Sequence, residues 1–298
     1  ISLSGIGGYT NTITNGGETR NHGIEILLSG NIIRNKNFNW NVTTAFTSYR
    51  NEIVKTGVTG VAGEQKNDIG RGRYVGTPIN NIRTYVFDGI FQTDADAINS
   101  AQGSLGGTIT PFQNVATLLA GAIRLKDVNG DGRINDDDQV IFATDPKWFS
   151  SISTTVSYKS FDLLADLYFV EGTMKINPYL SSFNEGGTLQ SVRNGIKVDY
   201  WTPENPSNTF PRPNYSAAPA NVSSLGLRES SYVRLRTLSL GYNMQNSLLD
   251  KMKLSGLRVY ITASNLFTIT DYKSYSPENN PNQFPDTKSF TFGLNIGL

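Results

Sequence analysis

"SFTFGLNIGL", residues 289–298, alternates without a break: Phe290, Phe292, Leu294, Ile296 and Leu298 fall on one side, Thr291, Gly293, Asn295 and Gly297 on the other. Successive side chains of a β-strand point to opposite faces, so the stretch predicts a strand with one apolar and one wet face. The same period recurs upstream. In "FNWNVTTAF", Phe38, Trp40, Val42 and Phe46 oppose Asn39, Asn41, Thr43 and Ala45. In "FDLLADLYF", Phe161, Leu163, Ala165, Leu167 and Phe169 oppose Asp162, Asp166 and Tyr168. Ile24, Ile26 and Leu28 share a phase, as do Ile152, Val156 and Tyr158, and Leu257, Val259, Ile261 and Ala263. A return near Lys159 and Ser160 predicts a tight hairpin between two of these strands. "YVRLRTLSLGYNM" loses phase, because Val233 and Leu235 have one parity and Leu238, Leu240, Tyr242 and Met244 the other. Either a bulge shifts the register or the first part projects beyond the apolar surroundings of the second.

Bulk properties agree with β structure. The 298 residues include 14 Tyr, 15 Phe and 29 Gly, an aromatic and turn-rich composition. Lys and Arg total 26 against 25 Asp and Glu, a net charge of +1 that gives no reason to expect nucleic acid as a partner. Cysteine is absent, which excludes disulfides and thiolate chemistry. No segment approaches the ~20 consecutive apolar residues of a membrane-spanning helix. The opening "ISLSGIGGYTN" lacks the basic start and apolar stretch of a signal peptide, as expected of a cytoplasmic chain, or of a mature chain or fragment.

Connections come in two sizes. A short one lies near 159–160; long ones run over roughly 55–82, 92–120, 173–230 and 271–286, the third rich in Pro, Asn and Ser. Long loops on one side and short turns on the other are expected of an outer-membrane β-barrel. A soluble sandwich also alternates, since its inner face packs on a second sheet. Three features favour the membrane: aromatics at the ends of apolar faces (Phe38 with Trp40, Tyr158 with Phe161, Phe290 with Phe292), polar faces that are small and uncharged in several strands, and an apolar strand at the chain's last residue. In lipid the backbone must satisfy its own hydrogen bonds, so such strands have to close into a barrel. The expected fold is therefore all-β, an antiparallel transmembrane β-barrel with long extracellular loops, and ~10-residue segments give about ten strands.

One stretch carries metal chemistry. "DVNGDGRINDDD", residues 127–138, matches the twelve-residue calcium loop, with Asp127, Asn129, Asp131, Arg133, Asn135 and Asp138 at the ligand positions and Gly132 at the sharp turn. Arg133 would offer its carbonyl, and Ile134 would point inward to anchor the loop. Asp138 stands where Glu is usual, and its shorter side chain reaches less well. The alternative reading of the same residues is an Asp/Asn/Gly-rich turn that needs no metal. The flanking segments read as strands rather than helices.

Taken in order, "NGGETRNHGIEILLSGNIIRNKNFNWNVTTAF" (15–46), "LKDVNGDGRINDDDQVIFATDPKW" (125–148), "SYKSFDLLADLYFVEGTMKIN" (157–177), "SSYVRLRTLSLGYNM" (230–244), "LRVYITASNLFTITDYKSYSPE" (257–278) and the terminal strand resemble the C-terminal part of a SusC/RagA-type TonB-dependent transporter of the Gram-negative outer membrane. The resemblance spans almost the whole chain, 1–298. It implies a 22-stranded barrel with a plug, import of glycans or peptides energised by TonB, and a SusD-like surface lipoprotein as partner. It also implies that the plug, the TonB-contacting segment and the early barrel strands lie outside this chain, which supplies wall and loops embedded in outer-membrane lipid. On that resemblance the calcium loop joins two barrel strands, and a Ca2+ ion there would be structural.

Other classes fit less well. His22 is the only histidine, and no Gly-x-Ser-x-Gly motif or phosphate loop appears, so no enzyme is expected. A calcium-dependent binding module resembling a dockerin would need two loops with helices, and one loop is found. Trp148, Tyr200, Trp201 and Tyr215 lie in or beside long loops and are candidates for stacking on a substrate. Interface anchoring or loop packing accounts for the same residues.

Overall fold

Antiparallel pairing of the alternating segments builds one large sheet and three two-stranded satellites in a computed structural model of the chain. Residues 15–59, 65–102, 119–180, 199–212, 221–244, 249, 253–279 and 284–297 are described. In chain order the strands are β1 (Glu18–Arg34), β2 (Phe38–Lys55), β3 (Asn81–Thr84), β4 (Phe87–Ile90), β5 (Ile123–Leu125), β6 (Val140–Ala143), β7 (Trp148–Tyr158), β8 (Phe161–Glu171), β9 (Met174–Ile176), β10 (Leu227–Glu229), β11 (Tyr232–Asn243), β12 (Gly256–Ile269) and β13 (Ser289–Gly297). Among the described residues two short α-helices are named, α1 (Asp94–Ile98) and α2 (Val222–Gly226), and both lie in the connections. The large sheet runs β1-β2-β7-β8-β11-β12-β13; β3 pairs with β6, β4 with β5 and β9 with β10.

The connections sort by side. β1 turns into β2 through 35–37 and β7 into β8 through 159–160, with β11 joined to β12 at the same end. Lys159 takes a left-handed φ of 53° to make the two-residue return, which suits a tight hairpin. At the opposite end, 56–147, 172–231 and 270–288 link the remaining neighbours and carry every satellite sheet and both helices. The calcium-like loop lies in the first of these, between β5 and β6.

Register decides what each face meets. One row across the sheet reads Trp40, Val156, Leu163, Leu240, Ile261 and Phe292; a parallel row reads Leu28, Thr44, Ile152, Leu167, Leu235 and Phe267. The intervening rows on the other face read Asn39, Ser157, Asp162, Gly241, Tyr260, Gly293 and Asn41, Thr155, Leu164, Ser239, Thr262, Thr291. The phase break in β11 is a bulge. Both of its ladders shift register between Leu235 and Thr237: against β8 Arg236 is the extra residue, which returns Val233, Leu235, Leu238 and Leu240 to one face, whereas against β12 the extra residue lies on β12, where Asn265 and Leu266 fall between the partners Ser264 and Phe267.

The apolar face has no cover among the described residues. Ile24 is 62% exposed, Phe292 78% and Leu294 62%, whereas the inner face of a soluble sandwich would bury them against a second sheet. The few polar groups on this face bond within the sheet. Trp40 Nε1 donates to Thr154 Oγ1 (2.9 Å), Thr44 Oγ1 to the Ser151 carbonyl (3.0 Å) and Ser150 Oγ to the Ala45 carbonyl (2.8 Å). Internal satisfaction is what a lipid-facing surface requires, because hydrocarbon supplies no partner. β7 and β8 have 11 residues each, the length with which a tilted strand crosses a bilayer.

Aromatic rings mark both ends of this band. At the turn end, Phe38 lies 6.4 Å from Tyr158 and Phe161 4.9 Å from Tyr242; at the loop end, Phe46 stacks on Trp148 at 5.9 Å. Phe290 and Phe292 depart from the expectation of end positions. They sit in mid-band opposite Ala263 and Ile261, because β13 is only nine residues long and pairs with the turn-side part of β12.

Candidate functional site: the polar face and the loop body

The polar face is built around two glycines. Arg258 on β12 donates from Nε to Asp162 Oδ1 (3.1 Å) and from Nη2 to Asp162 Oδ2 (2.6 Å), passing over Gly241 of the intervening strand. Asn243 Nδ2 adds a third bond to Asp162 Oδ1 at 3.0 Å. A Cβ at Gly241 would come within 2.5 Å of both partners. One residue along the row, the Tyr260 ring lies over Gly293 and under the Arg258 guanidinium, 4.8 Å from its centroid. Asp162 is therefore paired with Arg258.

Toward the loop end the same face carries Tyr168, Tyr232, Arg234 and Arg236. Arg234 is only 4% exposed. Its Nε donates to Thr268 Oγ1 (3.0 Å), Nη1 to Glu278 Oε2 (2.7 Å) and Nη2 to Asp286 Oδ2. Bulged Arg236 stacks 3.4 Å above the Tyr168 ring and faces Glu278 at 3.6 Å. The sequence offered no signal for this cluster beyond the phase break itself, since its carboxylates come from the connection after β12.

The loops form a body with its own core. Tyr85, Ile90, Ile123, Leu125, Ile134, Trp201 and Leu225 are buried together, drawn from two connections that are far apart in sequence. The segment 199–212 is stitched to β4 and its neighbours: Asn208 Oδ1 accepts from the Ile90 amide (2.7 Å), and the Arg212 amide donates to the Gly121 carbonyl (2.8 Å). Gly121, at φ 83°, lets the Trp201 ring approach where a Cβ would sit 2.5 Å from it. Gln102, 4% exposed, bonds both the Ile123 carbonyl and the Leu125 amide through its side chain.

The four aromatic candidates separate. Trp201 is 8% exposed with Nε1 donating to Gln92 Oε1 (3.1 Å), so it is a core side chain rather than an open stacking surface. Trp148 lies on the apolar face against Phe46, an interface position. Tyr200 is 43% exposed on the loop body; beside it Asp199 is held below the usual carboxylate range by the Asn205 amide, with Ser207 and Thr209 hydroxyls adding to the effect. Tyr215 lies outside the described residues.

The loop 127–138 is closed by its own bonds. Asp127 accepts from the Gly130 and Gly132 amides (2.7 and 2.8 Å), Asn129 from Asp131 (2.9 Å), Asp131 from Arg133 (2.8 Å) and Asn135 from Asp137 (2.7 Å). Ile134 points inward, 6% exposed in the loop core, as the spacing predicts. Asp138 is fully buried with one oxygen on the Val128 amide and the other on Asn135 (2.9 and 2.8 Å), so it caps the loop and offers no open bidentate edge. Asn129 and Asp131 are exposed and Asp127 half-buried, and each oxygen, with a single amide partner, retains a lone pair. Among the described residues no three His, Cys, Asp or Glu side chains gather closely enough to hold a metal.

No family model matches the chain. It is 27% identical over 315 residues to TonB-dependent receptor P3 of Formosa agariphila, an alignment covering 97% of this chain and 30% of that protein. TonB-dependent receptor SusC of Bacteroides thetaiotaomicron is 24% identical over 310 residues, covering 94% of this chain and 26% of its own length. The fold superposes on the structure of the RagAB peptide transporter with a TM-score of 0.71 at 24% identity, over 100% of this chain and 31% of that one. The RagAB peptide importer in its open-open state gives 0.70 at 23% identity. By sequence the chain is thus similar to TonB-dependent receptors, which are outer-membrane β-barrel proteins rather than enzymes. The similar proteins include SusC by sequence and RagAB by fold. The chain spans about a third or less of the length of the relatives it matches.

Proposed function

We propose that the chain, over 1–298, is the C-terminal part of the wall of a plugged TonB-dependent transporter in the outer membrane, and that its loop body forms part of the extracellular mouth. The observation that carries this reading is the uncovered apolar face of an open seven-stranded sheet. Among the described residues both edge strands, β1 and β13, have one unpaired side, and in lipid an unpaired edge leaves amides and carbonyls without partners. Further strands must therefore close the cylinder. The import of nutrients is supported by the named relatives. Glycans or peptides as cargo, TonB as the energy source through a segment outside this chain, and a SusD-like lipoprotein over the mouth complete the reading. Similarity to the RagAB peptide transporter supports the peptide option, and the SusC relationship supports the lipoprotein partner.

Calcium at Asp127, Asn129 and Asp131, with the Arg133 carbonyl, is proposed as a structural ligand. Ligand spacing supports it, and Asp138 contributes by shaping the loop from within. A weak site would suffice outside the cell, where modules bind at ~10⁻⁴–10⁻³ M.

The test is intact mass with N-terminal sequencing of the natively purified, detergent-solubilised protein and its companions. The transporter reading expects a larger polypeptide, or a second barrel fragment, together with a lipoprotein. A 32.7 kDa chain that runs alone and needs no detergent would overturn it and favour a soluble calcium-dependent module.

A further inference from the structure

We propose that Arg236, seated on the Tyr168 ring, binds a carboxylate of the cargo on the polar face of the sheet, whether a peptide carboxylate or that of an acidic sugar. The assignment rests on the transporter reading, in which this face lines the passage. The bulge makes the position. Arg236 is the extra residue of β11 against β8, so Arg236 and Thr237, consecutive in sequence, both project on the polar face. Bulges re-aim side chains in this way and recur beside functional sites. The guanidinium carbon lies 3.4 Å from the Tyr168 ring centroid, a contact that covers one face of the planar group and leaves its edge of donors to meet a ligand. The Arg236 side chain is 38% exposed, against 5% for Arg234 two residues before it.

The two arginines divide the carboxylates unequally. Glu278 Oε2 lies 2.7 Å from Arg234 Nη1, whereas its Oε1 stays 3.6 Å from Arg236 Nη2, beyond hydrogen-bond length. Arg234 also binds Asp286 and the Thr268 hydroxyl. Arg234 is thus the structural cation, and Glu278 stays bound to it when Arg236 engages another carboxylate. An incoming carboxylate can take two parallel bonds from the Arg236 fork at ~2.7–2.9 Å, which the more distant Glu278 oxygen does not provide. The surroundings suit an acid carried on an apolar or ring-shaped body. Phe149 and Tyr232 stand on the same face as Tyr168, with ring centroids 6.4 and 6.2 Å from its own. A neutral cargo would meet the same rings but would gain no charge-assisted bond, so the site selects for acidic cargo.

The complete detergent-solubilised protein, immobilised with whatever chains co-purify, can be offered two matched pairs of probes. One pair is a random pool of N-acetylated pentapeptides without Asp or Glu, with free C-terminal carboxylates or amidated; the other is oligogalacturonate and its methyl ester. Mass spectrometry reads what is retained. The unmodified protein should hold at least one acid form about tenfold better than its neutral counterpart, the factor expected of a charge-assisted bond. The preferred pair tells a peptide source from a sugar source. Arg236→Gln should abolish the preference. Glu278→Gln should increase it, because the internal competitor is neutralised while Asp286 still pairs with Arg234. A merely structural Arg236 would not give opposite signs in these two variants, and Glu278→Gln keeps the test open if Arg236→Gln fails to fold. Equal retention of acid and neutral forms by the unmodified protein would overturn the inference. So would an acid preference that survives Arg236→Gln, or one that Glu278→Gln leaves unchanged or lowers. Failure of the transporter reading shows separately, as a chain that runs alone and stays in solution without detergent.

Discussion

Arg258 reaches across the bare backbone of Gly241 to pair with Asp162 two strands away. The pair ties β8 to β12 near the short turns, where each of these residues is less than a third exposed. Gly241→Ala should push the two groups apart and destabilise the protein by about 1–3 kcal/mol, in the range of overpacking. Gly30→Ala is the control, since nothing lies within 4 Å of its added carbon. Thermal unfolding of the two variants checks the contrast, and equal melting temperatures would contradict the geometry.

The two faces should respond oppositely to charge. Leu238 lies in mid-band beside Ala165 and Ala263, and Leu238→Arg is expected to cost ~2–4 kcal/mol of stability in a bilayer. Thr237→Arg, one residue away on the polar face, should cost far less. Urea titration of bilayer-embedded protein measures both, and similar losses would mean that the faces do not differ in environment.

The loop 127–138 separates metal binding from self-closure. Replacing both Asp127 and Asp131 by Ala should loosen the loop and leave the sheet folded, and in the unmodified protein a chelator should do the same. Asp138→Ala should loosen it regardless of calcium, because the Val128 and Asn135 amides lose their acceptor. Limited proteolysis with and without chelator reads all three; identical cleavage of the unmodified loop in both conditions removes the case for calcium.

Asp199 sets an acid limit on the segment around Tyr200. Its folded pKa is lowered by the Asn205 amide and neighbouring hydroxyls, so its contribution to stability is present above the unfolded value of ~3.9 and fades as pH falls through the folded one. Exchange protection of 199–209 should therefore be flat from pH 7 to about 5 and decline below about pH 4, after correction for intrinsic rates. Asp199→Asn should show the weaker protection already at neutral pH.

Period-two alternation made the large sheet legible, because a single parity assigns every residue of a strand to a face. Lys159 and Ser160 marked a hairpin for the same local reason. In β11 the parity break posed two alternatives, and only the pairing with β8 identifies Arg236 as the bulge. Ile134 was readable from loop spacing, since its inward position follows from the turn geometry. The Arg258–Asp162 pair joins residues 96 apart, and no local pattern specifies such a contact. Trp201 has the same cause: its burial depends on Gly121 and Gln92, brought in by another connection. The loop body was hidden because its short strands lack the length for a period to show.

On the transporter reading, one face of the sheet meets lipid and the other an aqueous passage. These 298 residues contain no cysteine; with any cysteine elsewhere in the complete protein replaced by serine, single cysteines can be placed at 237, 238, 239 and 240 and spin-labelled in native outer membranes. Accessibility to oxygen, which partitions into lipid, and to a water-soluble nickel chelate should alternate with period two: oxygen favoured at 238 and 240, the chelate at 237 and 239. Uniform accessibility to the chelate at all four positions would contradict the account.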